Sequence, residues 1–194
     1  MNFTEKQLNI ISISIELIAE KSIQGFTIKN LAAKLNVTEG AIYRHFKSKT
    51  DILLGILKSF QNESSSILDR ACSSELSALE DIENIFLHHF NFFAKKPAVA
   101  SVIFSESIFE HSNELSKEVL KLLKTHEDSL LCIIERGQLS GEIRNGDVSK
   151  EQLVRIIIGS IRYTVTSWRL SNYKFSIKKE GKILLANIKE LLQK

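Results

Sequence analysis

The chain has 194 residues, 43% apolar and 25% charged, which is the profile of one or two ordinary globular domains; one Pro and eight Gly are too few for a sandwich of many turn-linked strands. The two cysteines, Cys72 and Cys132, make neither a disulfide framework nor a zinc spacing, no apolar run approaches the roughly 18 residues of a membrane span, and the opening MNFTEKQL is unlike a signal peptide. A cytoplasmic protein with no membrane association is expected, and the formal net charge of +3 hints only weakly at an anionic partner.

The first predicted helix starts after Thr4, a plausible N-cap, and runs to about Lys21, ending near Gly25. Ile11-Ser-Ile-Ser-Ile15 alternates like a strand, but Leu8, Ile11, Ile15 and Ile18 keep helical spacing, and the flanks are rich in Glu, Lys and Ala. Thr27 can cap a short helix carrying Ile28, Leu31, Ala32 and Leu35, and Asn36 tolerates the left-handed conformation of a tight stop. Thr38 can cap a second short helix, with Ile42 and Phe46 inward. Ser48-Lys-Thr-Asp51 fits a capping box opening a longer helix to about Ala71. Two short helices joined by about three residues form a helix-turn-helix signature.

Ser77-Ala-Leu-Glu80 is a second capping box, opening a helix that closes at Lys95-Lys96, with Pro97 at the first position of the next. Further helices are expected over about Glu114–Gly137, after the capping box Ser149–Gln152, and over about Ile177–Leu192. The fold class is therefore all-α, with about nine helices. It divides into a three-helix helix-turn-helix domain over residues 1–50 and a helical domain over residues 51–194.

The charge is not evenly spread. Residues 1–50 hold seven basic against four acidic residues, and the remaining 19 of each sign cancel. Within residues 21–50 the basic residues are Lys21, Lys29, Lys34, Arg44, Lys47 and Lys49, opposed only by Glu39. With Ile42 and Phe46 buried, Glu39, Gly40, Tyr43 and Arg44 project outward. An exposed Tyr beside an exposed Arg suits a surface that meets DNA, where both reach phosphates or base edges and Gly40 permits close backbone approach. Lys29, Lys47 and Lys49 can neutralise phosphates around them.

The stretch IELIAEKSIQGFTIKNLAAKLNVTEGAIYRHFKSKTDIL resembles the N-terminal DNA-binding domain of the TetR family of bacterial transcriptional regulators. The order Phe26-Thr27-Ile28, Leu31-Ala32, Val37, Gly40, Ile42-Tyr43, His45-Phe46, Ser48-Lys49 follows the family pattern. Ser22 and Asn36 stand where the family commonly has Gly. The resemblance implies that Thr27 and Lys29 meet phosphate, and that Thr38, Glu39, Gly40, Ala41 and Arg44 face the groove. It also implies that Tyr43 and Lys49 contact the DNA backbone and that His45 lies near phosphate.

The resemblance further implies a ligand-binding domain that dimerises through its last two long helices, here residues 149–171 and 177–192. Leu153, Ile156, Ile157, Ile161, Val165 and Trp168 follow helical spacing there, and Gly159 and Ser160 allow close approach of another helix. The expected partners are a double-stranded DNA operator, a second copy of the chain and a small apolar or aromatic effector that releases the DNA, which makes the expected role that of a repressor. Phe90, Phe92, Phe93, Phe104, Phe109 and Trp168 offer aromatic lining for that effector, and His88, His89, Glu106, Cys132, Arg162 and Tyr163 offer polar anchors. His89, Phe93, Phe104, Cys132, Tyr163 and Trp168 are the candidate ligand residues.

Other readings have less support. A DNA-binding regulator without an inducer shares the same N-terminal residues. A small helical enzyme would need a site such as a metal held by His88-His89 with Glu106 or Glu110-His111, but adjacent histidines on a helix diverge by about 100°, and His126-Glu127 lacks a second His for a zinc motif. A thiol sensor would rest on Cys72 or Cys132, with no basic neighbour beyond Arg70. No metal and no cofactor are expected.

Overall fold

The computed structural model describes residues 3–71, 73–104 and 112–193, with the backbone alone at Ala71. Cys72, Glu106, Phe109, Glu110 and His111 lie outside the described residues. The described residues form nine helices and no strand: α1 (Glu5–Gly25), α2 (Ile28–Leu35), α3 (Glu39–Tyr43), α4 (Lys49–Ala71), α5 (Ala78–Lys95), α6 (Pro97–Ile103), α7 (Asn113–Ser140), α8 (Lys150–Leu170) and α9 (Ile177–Gln193).

The helix ends follow local chemistry. Thr4 and Gln7 make a reciprocal capping box at α1. Thr27, Thr38 and Ser149 each accept from the backbone N–H three residues on, at Asn30, Ala41 and Gln152. Ser77 and Glu80 form the expected box at α5, Ser77 N donating to the Glu80 carboxylate over 2.9 Å. At α4 the box is displaced: Asp51 N donates to Ser48 Oγ, but the Asp51 carboxylate accepts from Lys47 N, not from Ser48. Asn36 takes the left-handed stop, at φ 53° and ψ 46°. Ser22 interrupts α1 at φ 60° and ψ 178°, a conformation natural only to glycine.

The apolar face of α1 is rotated from the expected one. Leu8 is exposed and Ile15 only half-buried, while Ile10, Ile11, Ser14, Leu17 and Ile18 are buried. Ser14 joins the core because its hydroxyl donates to Ile10 O over 2.7 Å, so no polar atom is left unsatisfied.

The chain divides into two compact units. The first comprises Met1–Gln61 and Lys96–Val119, where α1 packs on α2 and on α6. Its core includes Phe26, Leu31, Ile42, Phe46, Ile52 and Ile56. Gly55 lets α4 pass close to its neighbours, since a Cβ there would sit 3.2 Å from both Ile11 Cδ1 and Phe46 Cε1.

The second unit comprises Asn62–Lys95 and Leu120–Lys194, in which α9 packs on α5 and α8. Phe86, Phe90, Phe93, Ile133, Ile134, Val154, Ile157 and Ile188 fill its core. Gly181 allows the α5–α9 contact, because a Cβ there would lie 2.4 Å from Phe90 Cδ2. Arg136 pairs with the buried Asp81 carboxylate and donates to Ser74 O over 2.8 Å. The Glu142 carboxylate accepts from Ala78 N at 2.7 Å and Leu79 N at 3.1 Å, completing the start of α5 from 64 and 63 residues away. No helix among the described residues is long and apolar enough to cross a membrane.

Candidate nucleic-acid interface

The helix-turn-helix is built by caps and a small core. Thr27 starts α2, Asn36 stops it and Thr38 starts α3 two residues later. Burial of Leu31, Ala32, Ile42 and Phe46 fixes how the two helices present their outer faces. Thr38, Glu39, Gly40, Tyr43 and Arg44 are exposed, as expected, and Ala41 is half-buried. A Cβ on Gly40 would meet nothing nearer than Thr38 Oγ1 at 3.9 Å. The missing side chain is therefore not required by packing within the protein, and it leaves backbone open to an outside surface.

The surrounding cations are not equivalent. Thr27, Lys29 and Lys47 are exposed beside the helix pair. Lys34 instead is held by Glu16 and Glu20 of α1, its ammonium 3.6 Å from Glu16 Oε2, and its pKa is raised chiefly by the hydrogen bond to Glu20. Lys49 is half-buried, with Nζ 5.4 Å from the centroid of the Phe26 ring and 3.4 Å from Ile23 O, and burial lowers its pKa. In this conformation its ammonium is turned toward the end of α1.

The positioning role of Gln7 is not legible in its spacing alone. Its Oε1 accepts from Thr4 N at 3.0 Å while its Nε2 donates to His45 O at 3.2 Å, so one amide caps α1 and ties it to the end of α3. The half-buried His45 side chain lines a shallow groove with Lys6, Ile10, Leu35, Val37 and Ala41. Val37, an apolar turn residue, is 45% exposed next to the recognition face. The surface as a whole can hydrogen-bond through Tyr43, Arg44 and Thr38, attract phosphate through Lys29, Arg44 and Lys47, and admit a close backbone at Gly40.

The candidate ligand residues differ in burial. His89 and Phe93 are buried neighbours on α5, their ring centroids 6.5 Å apart. Trp168 is buried, donates from its indole N–H to Phe175 O over 2.9 Å and stacks edge-on against Tyr173, which makes it the anchor of the α8–α9 turn. Cys132 and Phe104 are half-buried. Tyr163 is 75% exposed on α8, so it lines no interior of this unit; it faces outward because Thr164 and Val165 take the inward positions. A histidine outside the candidate set, His126 of α7, stands against His89, with Nε2 atoms 2.9 Å apart. Burial drives the His89 pKa down to about 3 and lowers those of His126 and His88 as well.

Comparison with known proteins matches residues 10–56 to the family model described as bacterial regulatory proteins, tetR family, and residues 60–192 to that of the YsiA-like protein, C-terminal region. The chain is 28% identical over 173 residues to the fatty acid metabolism regulator protein of Bacillus subtilis, covering 89% of this chain and 88% of that one. It is 22% identical over 173 residues to the nucleoid occlusion factor SlmA of Haemophilus influenzae, covering 87% and 79% respectively. The crystal structure of FadR from Bacillus subtilis in complex with stearoyl-CoA superposes with a TM-score of 0.82 at 26% identity, covering 95% of this chain and 98% of that one. KstR2 of Mycobacterium tuberculosis shares the fold, with a TM-score of 0.81 at 17% identity over 100% and 97% of the two chains.

Proposed function

Because the chain belongs to the TetR family of bacterial transcriptional regulators, a family of DNA binders and not of enzymes, we propose that it is a repressor that holds a two-fold related operator as a homodimer and lets go when a small molecule binds. The observation that carries this reading is the outward face of α3, where Glu39, Gly40, Tyr43 and Arg44 stand exposed on a helix capped by Thr38 and seated by Ile42. Thr27, Lys29, Ala41, His45 and Lys47 complete the proposed DNA contacts, and Lys49 joins them only if its ammonium leaves Phe26 and Ile23 O, so it is not counted among the phosphate-neutralising cations. Residues 1–50 carry this function, and residues 51–194 carry dimerisation and ligand binding.

Dimerisation is supported by α8 and α9, whose outer faces leave Ile156, Tyr163, Leu170, Ile183 and Leu191 exposed. Gly159 stands in the middle of that face of α8, with nothing within 4 Å of where a Cβ would be. Tyr163 belongs to this face, not to a ligand site. A second recognition helix on the partner copy gains by effective concentration and reads the second half-site one DNA turn away.

For the effector we propose a long-chain acyl thioester. The reading is supported by the likeness to FadR of Bacillus subtilis, whose structure holds stearoyl-CoA, and by the phenylalanine-rich α5. Ligand must bind the DNA-free state more tightly than the DNA-bound one for release to follow. Selection of bound duplexes from a genomic pool, followed by fluorescence anisotropy with stearoyl-CoA and with free CoA, tests both parts. Enrichment of a two-fold related site, and its release by stearoyl-CoA but not by CoA, is the expected result. An unstructured pool refutes the operator reading, and a site indifferent to stearoyl-CoA refutes the effector.

A further inference from the structure

Val37 lies in the turn between α2 and α3, where its backbone has a fixed task. Its N–H donates to Ala32 O over 3.0 Å while Asn36 N donates to Ala33 O over 3.2 Å, the pair of bonds that closes a helix on a left-handed residue. Any residue but proline supplies that N–H. The side chain is a separate matter. An apolar residue at this position commonly packs back on the helix it closes, which accounts for one flank of Val37. The other flank leaves it 45% exposed, on a surface whose outward side chains are otherwise Thr38, Glu39, Tyr43 and Arg44.

That flank has apolar neighbours. Val37 lines the shallow groove beside α3 with Ile10, Leu35, Ala41 and Ile42, of which Ile10 and Ile42 are buried and Ala41 is half-buried. The strip borders the start of α3, next to the Thr38 cap and the bare backbone of Gly40. The N-terminal residues of a recognition helix are the ones that meet base edges. Among the groups that the bases present in the major groove, hydrogen-bonding donors and acceptors suit Thr38, Glu39 and Arg44, and the 5-methyl group of thymine is the one that suits an exposed valine.

We propose that Val37, with the methyl of Ala41 beside it, takes up the 5-methyl group of a thymine in each half-site. The turn before α3 is then a determinant of sequence specificity as well as a connection. This contact presupposes the proposed operator binding, and it adds no cation, so it leaves the salt dependence unchanged. Burial of one methyl group corresponds to about fourfold in affinity, and of one in each of two half-sites to about fifteenfold.

The test uses full-length protein and the operator selected from the genomic pool. Deoxyuridine replaces thymidine at one position of both half-sites at a time, which removes the methyl group and keeps the base pair. Anisotropy titrations compare the wild type with Val37→Ala and with Val37→Thr, which keeps the shape and makes one branch polar. Circular dichroism and binding to a nonspecific duplex at low salt establish that each variant keeps its helix-turn-helix. For the wild type, one thymine per half-site should stand out, its replacement weakening binding about fifteenfold at an unchanged salt slope. Val37→Ala should bind the unmodified operator more weakly by a comparable factor and no longer distinguish thymidine from deoxyuridine at that position, with Val37→Thr between the two. Wild-type binding indifferent to deoxyuridine at every thymine overturns the proposal. So does a response of equal size in the wild type and Val37→Ala, which would leave Val37 a turn residue alone. An unstructured pool refutes the operator reading and this contact together, whereas a selected operator indifferent to deoxyuridine refutes this contact alone.

Discussion

Replacing Lys29 by Ala separates the cations that meet DNA from those that are occupied within the protein. Three basic side chains per protomer stand exposed at the helix-turn-helix: Lys29, Arg44 and Lys47. Lys34 is held by Glu16 and Glu20, and the Lys49 ammonium is turned to Phe26 and Ile23 O. The proposed dimer would therefore neutralise about six phosphates, and log K should fall against log salt with a slope of about −5.4. Between 50 and 200 mM salt that slope corresponds to a loss of about 2,000-fold in affinity. Lys29→Ala removes one cation from each protomer, which brings the slope to about −3.6 and the loss to about 150-fold. Lys34→Ala, on the same helix and with the same change in charge, should leave the slope near −5.4. Fluorescence anisotropy on the selected operator at four or five salt concentrations measures both. Equal slopes for the two variants, or a wild-type slope for Lys29→Ala, would refute the division of cations that the structure makes.

Ser22→Gly should stabilise the protein. Relief of a glycine-only backbone conformation is worth about 1–3 kcal/mol, against about 0.4–1 kcal/mol for the added freedom of the unfolded chain. The net gain of about 1 kcal/mol raises the melting temperature by about 2–4 °C, and a fall would contradict the strain. Gly181→Ala presses a methyl onto the buried Phe90 ring and should cost about 1–3 kcal/mol, seen as a lower urea midpoint at unchanged slope; a neutral result would mean that α9 lifts off α5 without penalty. His89 is neutral in the folded state down to about pH 3, while in the unfolded chain it takes a proton near pH 6.5. Its contribution is thus complete above about pH 6.5 and lost as pH falls, by roughly 1.4 kcal/mol at pH 5.5. Melting temperatures of wild type and His89→Gln between pH 8 and 5 should converge on the acid side, and parallel curves would exclude this source of acid sensitivity.

Most helix starts could be read from the sequence because three or four adjacent residues decide them. Thr4, Thr27, Thr38 and Ser77 all cap the helices assigned to them, and Asn36 takes the backbone region its side chain tolerates. The faces were less legible. Ser14 counts as polar by residue type, yet its bond to Ile10 O lets it enter the core and turns the buried side of α1 away from Leu8. On α8, Ile156 and Ile157 are equally apolar, but only Ile157 is buried. Helical spacing does not say which of two apolar faces the chain itself covers. At the recognition face the outward residues followed from the two that had to be buried, Ile42 and Phe46. The division among Lys29, Lys34 and Lys49 did not, because it depends on glutamates and an aromatic ring carried by other elements. The pairing of His89 with His126 was hidden for the same reason.

The Glu142 carboxylate at the start of α5 also sets an order of events during synthesis. Ser77 and Glu80 satisfy part of that helix start with residues made within a moment of each other. Ala78 N and Leu79 N wait for a carboxylate that the ribosome adds 64 residues after the first of them. At about 5–20 residues per second that interval is roughly 3–13 s. For those seconds the first turn of α5 leans on water and on its local box alone, and the nascent α5 can fray from its beginning until the loop after α7 has left the exit tunnel.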